Sequence, residues 1–192
     1  MNIKRSFNKQ KIVIFPLFLI LFIGCTAQRT FTNMDIKTGD LDFNKPYKLV
    51  MTAEYKENGK PYSSKNDEVL EYIEDAFSSV GFANPSSKSS SEGSIHIILN
   101  NKTSFAKSIA KGFITGYTWG LIGYKVEDEL TMDVEFTLNG ETIKKSGYKH
   151  EIATIAGMFQ EGKVSDKSEM DASRAWEKAA QQLVLKFLND IQ

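Results

Sequence analysis

Residues 129–138 read ELTMDVEFTL, and Asn139-Gly140 and then Glu141-Thr142-Ile143-Lys144 follow. Met132, Val134, Phe136 and Leu138 point one way; Thr131, Asp133, Glu135 and Thr137 point the other. This period of two belongs to a half-buried strand. Asn-Gly suits a type I′ turn, in which both central residues need φ > 0. A two-residue loop sets Leu138 opposite Glu141, Phe136 opposite Ile143 and Glu135 opposite Lys144. The apolar pair and the opposite-charge pair each contribute roughly 0.2–1 kcal/mol. An antiparallel hairpin is therefore predicted, and the fold is built outward from it. Carried further, the same register brings Tyr124 near Ile155 and Trp119 near Gln160.

Upstream, Tyr47–Tyr55 (YKLVMTAEY) reads as a strand and residues 57–61 (ENGKP) as a turn. A helix is predicted from about Asp67 to Val80, because Val69, Leu70, Ile73, Ala76, Phe77 and Val80 form one apolar stripe. Asn66 or Ser64 is the expected cap, and Gly81 the left-handed residue that ends the helix. Asn84–Ser94 is a Ser-rich loop, and Ile95–Asn100 (IHIILN) a β-branched central strand. Strand, helix and strand of these lengths fit a βαβ unit. Downstream, Ala172, Ala175, Trp176, Ala179, Leu183, Phe187 and Ile191 make a helical stripe over about 169–190, with Asp166 and Glu169 at capping-box spacing. The expected architecture is α+β. It has a mixed sheet of about four strands with two helices packed on one face, in the order β-α-β-β-β-α, as a single globular domain over 47–192.

The composition narrows the function classes. The 192 residues carry 24 basic and 24 acidic side chains, so there is no basic excess for a nucleic-acid partner. A single cysteine excludes a disulfide framework and a multi-thiolate zinc site. A hydrophobic fraction of 41% is that of a folded chain.

The cysteine stands at the end of an address. Lys4, Arg5, Lys9 and Lys11 precede an uncharged apolar run, residues 12–24 (IVIFPLFLILFIG). Such a run spans roughly 20 Å as a helix, short of a hydrocarbon core of about 30 Å, so a removable signal peptide over 1–24 is expected. Phe22-Ile23-Gly24-Cys25 resembles the lipobox of bacterial lipoprotein precursors, with Phe22 departing from the usual Leu, Val or Ile. The resemblance implies cleavage before Cys25 and attachment of acyl chains such as palmitate to it, which anchors the protein in a membrane. Thr26 in place of Asp implies the outer membrane of a Gram-negative cell envelope, with the domain facing the periplasm. Residues 25–46 then read as the lipidated cysteine and a tether without sustained periodicity. Phe31, Met34 and Phe43 are its candidates for docking on the domain.

One apolar stretch has no place in this scheme. Residues 104–124 read SFAKSIAKGFITGYTWGLIGY. Gly112, Gly116 and Gly120 recur every four residues, a spacing that on a helix lets another backbone approach closely. Phe113, Tyr117, Trp119, Leu121 and Ile122 would line the other side. A second apolar run, residues 152–159 (IATIAGMF), includes Ile155 and Phe159 and meets the first at the open end of the hairpin. Three readings stand: completion of the core, a membrane-facing lobe with aromatic side chains among the headgroups, and a surface for a partner or for self-association. Similar glycine-zipper segments occur in some outer-membrane lipoproteins.

No catalytic set emerges. His96, in an apolar strand, is expected in the core, and His150, between Lys149 and Glu151, at the surface. Neither has the partners that a zinc site needs. Asp133 and Glu135 read as solvent-facing carboxylates. No catalytic residue, metal or cofactor is assigned. The expected function is a non-enzymatic envelope lipoprotein, an adaptor or accessory factor for another envelope component. The element order looks like that of small lipoprotein domains that support envelope assembly. The alternative is a membrane-contacting lipoprotein whose segments 112–124 and 152–159 engage lipid or an apolar ligand.

Overall fold

The computed structural model describes residues 28–37, 39, 41, 43, 45–103, 124–156 and 168–192. In chain order the elements are strands β1 (Gln28–Thr32), β2 (Tyr47–Glu57) and β3 (Lys60–Pro61), helix α1 (Asn66–Ser79), strands β4 (Ala83–Pro85), β5 (Gly93–Thr103), β6 (Tyr124–Leu138), β7 (Glu141–Ala156) and β8 (Ser168–Met170), and helix α2 (Ala172–Ile191). The sheet runs β3-β2-β5-β6-β7-β1-β8, with β4 also paired to β2.

The hairpin forms at the expected turn, with Asn139 at φ 52 and Gly140 at φ 87. Leu138 opposes Glu141, Phe136 opposes Ile143 and Glu135 opposes Lys144. Farther down, a bulge interrupts the ladder between Met132 and Val134. Ser146 and Gly147 there face Asp133 alone; Gly147 takes φ 82 and its N–H donates to Asp133 Oδ1 at 2.9 Å. The extra residue shifts the register by one, so Tyr124 opposes Ala156, and Lys125, not Tyr124, opposes Ile155.

The strand count is a correction. Among the described residues the sheet has eight strands, not about four, although the class remains α+β with two helices on one face. Three of the additional strands, β3, β4 and β8, have two or three residues, too few to display a period. The fourth, β1, lies inside the segment read as a tether. Its sequence QRTFT alternates only once, yet it pairs with β7 on one side and β8 on the other.

Strands β2 and β5 are parallel neighbours joined through α1, as the βαβ reading requires. Alternate residues of β2, β5 and β6 are buried beneath the helices, and Phe77 of α1, Phe136 of β6 and Phe187 of α2 meet edge to face at the centre. Burial of such large apolar side chains is the main stabilising term. The opposite face carries Thr, Lys, Glu and His side chains over β2, β5 and most of β6.

Two helix starts differ from expectation. Asn66 does not cap α1; its Oδ1 accepts the Tyr55 N–H at 2.8 Å and ties the helix start to β2. Helix α2 begins after Asp171, whose Oδ1 accepts the Arg174 N–H at 2.9 Å, and Glu169 belongs to β8 instead. Between β1 and β2 the chain reaches the core at Ile36, Leu41 and Phe43. Gln182, 0% exposed in the middle of α2, holds it there. Its Oε1 accepts the Ile36 N–H at 2.9 Å and its Nε2 donates to the Ile36 carbonyl at 2.7 Å. Among the described residues no helix is long and apolar enough to cross a membrane.

Candidate functional site

The ladder of β6, β7 and β1 sets the geometry at one end of the sheet. Tyr124 opposes Ala156, and Ala156 opposes Gln28. Strand β5 stops short, with Thr103 opposite Asp128. Three chain ends therefore share this end of the sheet: the start of β6, the end of β7 and the start of β1. The expected lipid site, Cys25, precedes Gln28 by three positions. Three residues of trans chain reach at most about 11 Å.

Of the residues read as membrane or partner contacts, Cys25, Gly112, Phe113, Gly116, Tyr117, Trp119, Gly120, Leu121, Ile122 and Phe159 lie outside the described residues. Ile155 is described, and it is 6% exposed in β7 with Arg29 of β1 and Lys125 of β6 as its cross-strand neighbours. Strand β5 ends at Thr103 and β6 begins at Tyr124, and the register sets that beginning at the β1 end.

Charges at this end are engaged with one another. Arg29 is bonded to Glu169 of β8 and lies over the Phe31 ring, 5.5 Å from its centroid. That contact raises the Arg29 pKa and holds the Glu169 carboxyl below its ordinary range; in both cases the hydrogen bond is the main cause. Lys125 pairs with Glu127 at 2.5 Å.

The histidines exchange their expected places. His150 is 3% exposed, because the bulge puts it in phase with Tyr148 and Ile152 on the helix-covered face. Its Nε2 lies 2.7 Å from Thr32 Oγ1, and Asp35, 3.9 Å from its Nδ1, bonds Lys186 of α2 at 3.0 Å. Lys186 also donates to the Lys149 carbonyl at 2.8 Å, on the side of β7 that β1 leaves uncovered. His96 is exposed on the open face, with Nδ1 2.9 Å from Thr52 Oγ1. Reading phase in β7 from Ile152 rather than from the turn would have found His150. The phase in β5, where Ile95 and Ile97 point inward, would have found His96.

Beside His96 the bulge opens a shallow hollow of about 230 Å³, lined by Ile98, Asp133, Glu135, Lys144 and Ser146 among others. Its charges are satisfied locally: Glu135 pairs with Lys144 at 2.8 Å, and Asp133 accepts the Gly147 N–H. Among the described residues no three His, Cys, Asp or Glu side chains are placed to hold a metal ion.

No family model matches the chain, and no curated protein matches it. Among solved structures it is similar to a PelC dodecamer from Paraburkholderia phytofirmans, at 6% identity over 83% of this chain and 94% of that one, with a TM-score of 0.31. It is also similar to a DUF4136 family protein from Bacteroides thetaiotaomicron, at 13% identity over 85% of this chain and 96% of that one, with a TM-score of 0.31. Overlap at this level identifies neither a shared site nor a shared activity.

Proposed function

We propose that the chain is a non-enzymatic envelope lipoprotein, held in the outer membrane by lipid on Cys25, that serves as an accessory factor on the periplasmic side. The envelope component it engages through segment 112–124 is the membrane itself. One observation carries this choice over a protein adaptor: the β6-β7-β1 register brings the Cys25 side of the chain and the return of the aromatic, Gly-containing segment to the same end of the sheet. A lipid on Cys25 would hold that end within about 11 Å of its attachment point. Trp119, Tyr117 and Tyr124 then have the amphipathic character suited to the headgroup layer, with Lys107 and Lys111 near the phosphates.

The test has two stages in the native cell. Cys25→Ser should abolish acylation of the mature chain, read by mass, and release the domain from the membrane fraction. A photo-crosslinking residue at Trp119 in the lipidated protein should then give lipid adducts. A single discrete protein adduct would replace this reading with the adaptor. No adduct at all would return segment 112–124 to the core.

A further inference from the structure

Strand β1 pairs with β7 only over Ile152–Ala156. From Glu141 to Gly147 the outer edge of β7 has no neighbouring strand among the described residues, and every residue of that stretch is exposed except Lys145, which is partly so. Farther along, the edge is used internally. The Lys149 carbonyl accepts from Lys186 Nζ at 2.8 Å, and the Glu151 carbonyl accepts from Thr32 Oγ1 at 3.3 Å. An unpaired edge is a template for another strand. Its hydrogen-bonding phase follows from the hairpin. The residues flanking the two-residue turn, Leu138 and Glu141, exchange their bonds, and the pattern alternates from there. The N–H and C=O groups of Thr142 and Lys144 therefore point outward. Ile143 lies between them, 40% exposed, on the same face of the strand as Glu141 and Lys145.

A second copy of this edge can meet it antiparallel about a two-fold axis. The outward groups align only where Thr142 or Lys144 of one chain faces Thr142 or Lys144 of the other. Thr142 opposite Thr142 leaves Glu141 facing Ile143. Lys144 opposite Lys144 sets two cations together and leaves Ile143 facing Lys145. Thr142 opposite Lys144 sets Ile143 against Ile143 at the axis and Glu141 against Lys145 on either side of it. That register alone covers the apolar residue and matches the charges. We propose that residues 141–145 of β7 form a homodimer interface in this register, two chains joining their sheets edge to edge. Lys144 is held by Glu135 at 2.8 Å on the other face, and Lys145, paired with Asp190 at 3.0 Å, adds Glu141 of the second copy as a partner. The bulge at Ser146-Gly147 turns the edge away and ends the ladder after five residues, a contact of about 17 Å. So short a ladder gives a reversible dimer, and the pairing of identical edges closes at two chains. This interface is separate from segment 112–124 and does not depend on the lipid at Cys25.

The test is Ile143→Cys in the full-length protein, mildly oxidised in membranes of the native cell. Facing residues of a non-hydrogen-bonded antiparallel pair lie close enough for a disulfide. A species of twice the chain's mass is expected. Lys60→Cys, exposed on β3 at the far edge of the sheet, should give none. Both variants retain Cys25, so a link through that residue would show in both. Adding Glu141→Lys to Ile143→Cys should cut the yield about fivefold, and adding Lys145→Glu as well should restore it. Restoration separates pairing between chains from damage within one, since the second change also removes the Lys145–Asp190 pair. No link at position 143 in a folded variant, equal links at 143 and 60, or a yield indifferent to the charge reversals would overturn the proposal. A link to a protein of another mass would overturn it too, by giving the edge to a different strand. If Ile143→Cys fails to fold, Glu141→Lys and Lys145→Glu chains with Ile143 intact decide the matter by sedimentation. They should pair when mixed and neither should pair alone, and the absence of mixed dimers would sink the idea.

Discussion

Gln182 interrupts an apolar helix face, and the two bonds it makes to Ile36 explain why a polar group is tolerated at 0% exposure. Gln182→Leu keeps the bulk but leaves the Ile36 N–H and carbonyl without those partners. It should lower stability by about 1–3 kcal/mol in urea unfolding. Gly93 has the opposite problem. A Cβ there would lie 2.1 Å from the Thr137 carbonyl oxygen, with backbone rather than a movable side chain in the way. Gly93→Ala should therefore cost about 1–3 kcal/mol by the same measurement, and disturb the ladder where β5 meets β6. At the end of α2, Asp190 accepts from the Tyr148 hydroxyl at 2.7 Å and pairs with Lys145 at 3.0 Å. Those two bonds, the tyrosine's first, hold its carboxyl below the ordinary range. A depressed carboxylate pKa stabilises the fold above the ordinary aspartate pKa, and the gain is lost as pH falls through the folded value. Tyr148→Phe should flatten the acid limb of a stability-against-pH curve. The Tyr148 phenol is itself pushed well up, mainly by burial and then by Asp190, so its ionisation plays no part near neutral pH.

At the scale of elements, periodicity was enough wherever a strand or helix exceeded about ten residues and had one wet face. The hairpin register followed from Asn139-Gly140, and the α1 stripe of Val69, Ile73, Ala76 and Phe77 is the buried one. Short strands were illegible because two or three residues carry no period, and they exist only because longer neighbours offer them an edge. Strand β1 was illegible for another reason: Thr30 and Thr32 fill its inward phase, and they are buried against Thr154 and His150 rather than against an apolar core. The meeting of residues near 124 and 155 was legible in sequence, since the hairpin register brings them together. Its offset was hidden by the bulge at Gly147, a residue whose turn propensity is masked by its position inside a long strand. Phe31 supplies a direct check on β1. Its ring is buried between Ala153 and the Arg29 guanidinium. Phe31→Ala should cost about 3 kcal/mol. Amide exchange in 28–32 should then quicken more than exchange in β5, because β1 has fewer pairs to lose than β5 and opens locally first.

On the scale of the whole molecule, β6 and β7 form a ruler. Fifteen residues of β6 span about 50 Å from the β1 end to the Asn139-Gly140 turn. With the lipid in place, a dye at Gly140 should transfer energy poorly to a dye in the bilayer, while one at Gln28 should transfer it well. Equal transfer from both positions would mean that the sheet lies flat. The same ladder also has a consequence in time. Strand β1 leaves the ribosome before the rest of the sheet, yet Phe31 pairs with Ala153 and, beyond it, with Glu169. It has no seat until nearly the whole chain has been made. Closing so long a loop is slow, since its entropy is lost before any contact rewards it. During that interval the edge of β7 that β1 will cover stands open. The first strand made is thus the last one seated, and the nascent domain must be kept from pairing its open edge with a neighbour's.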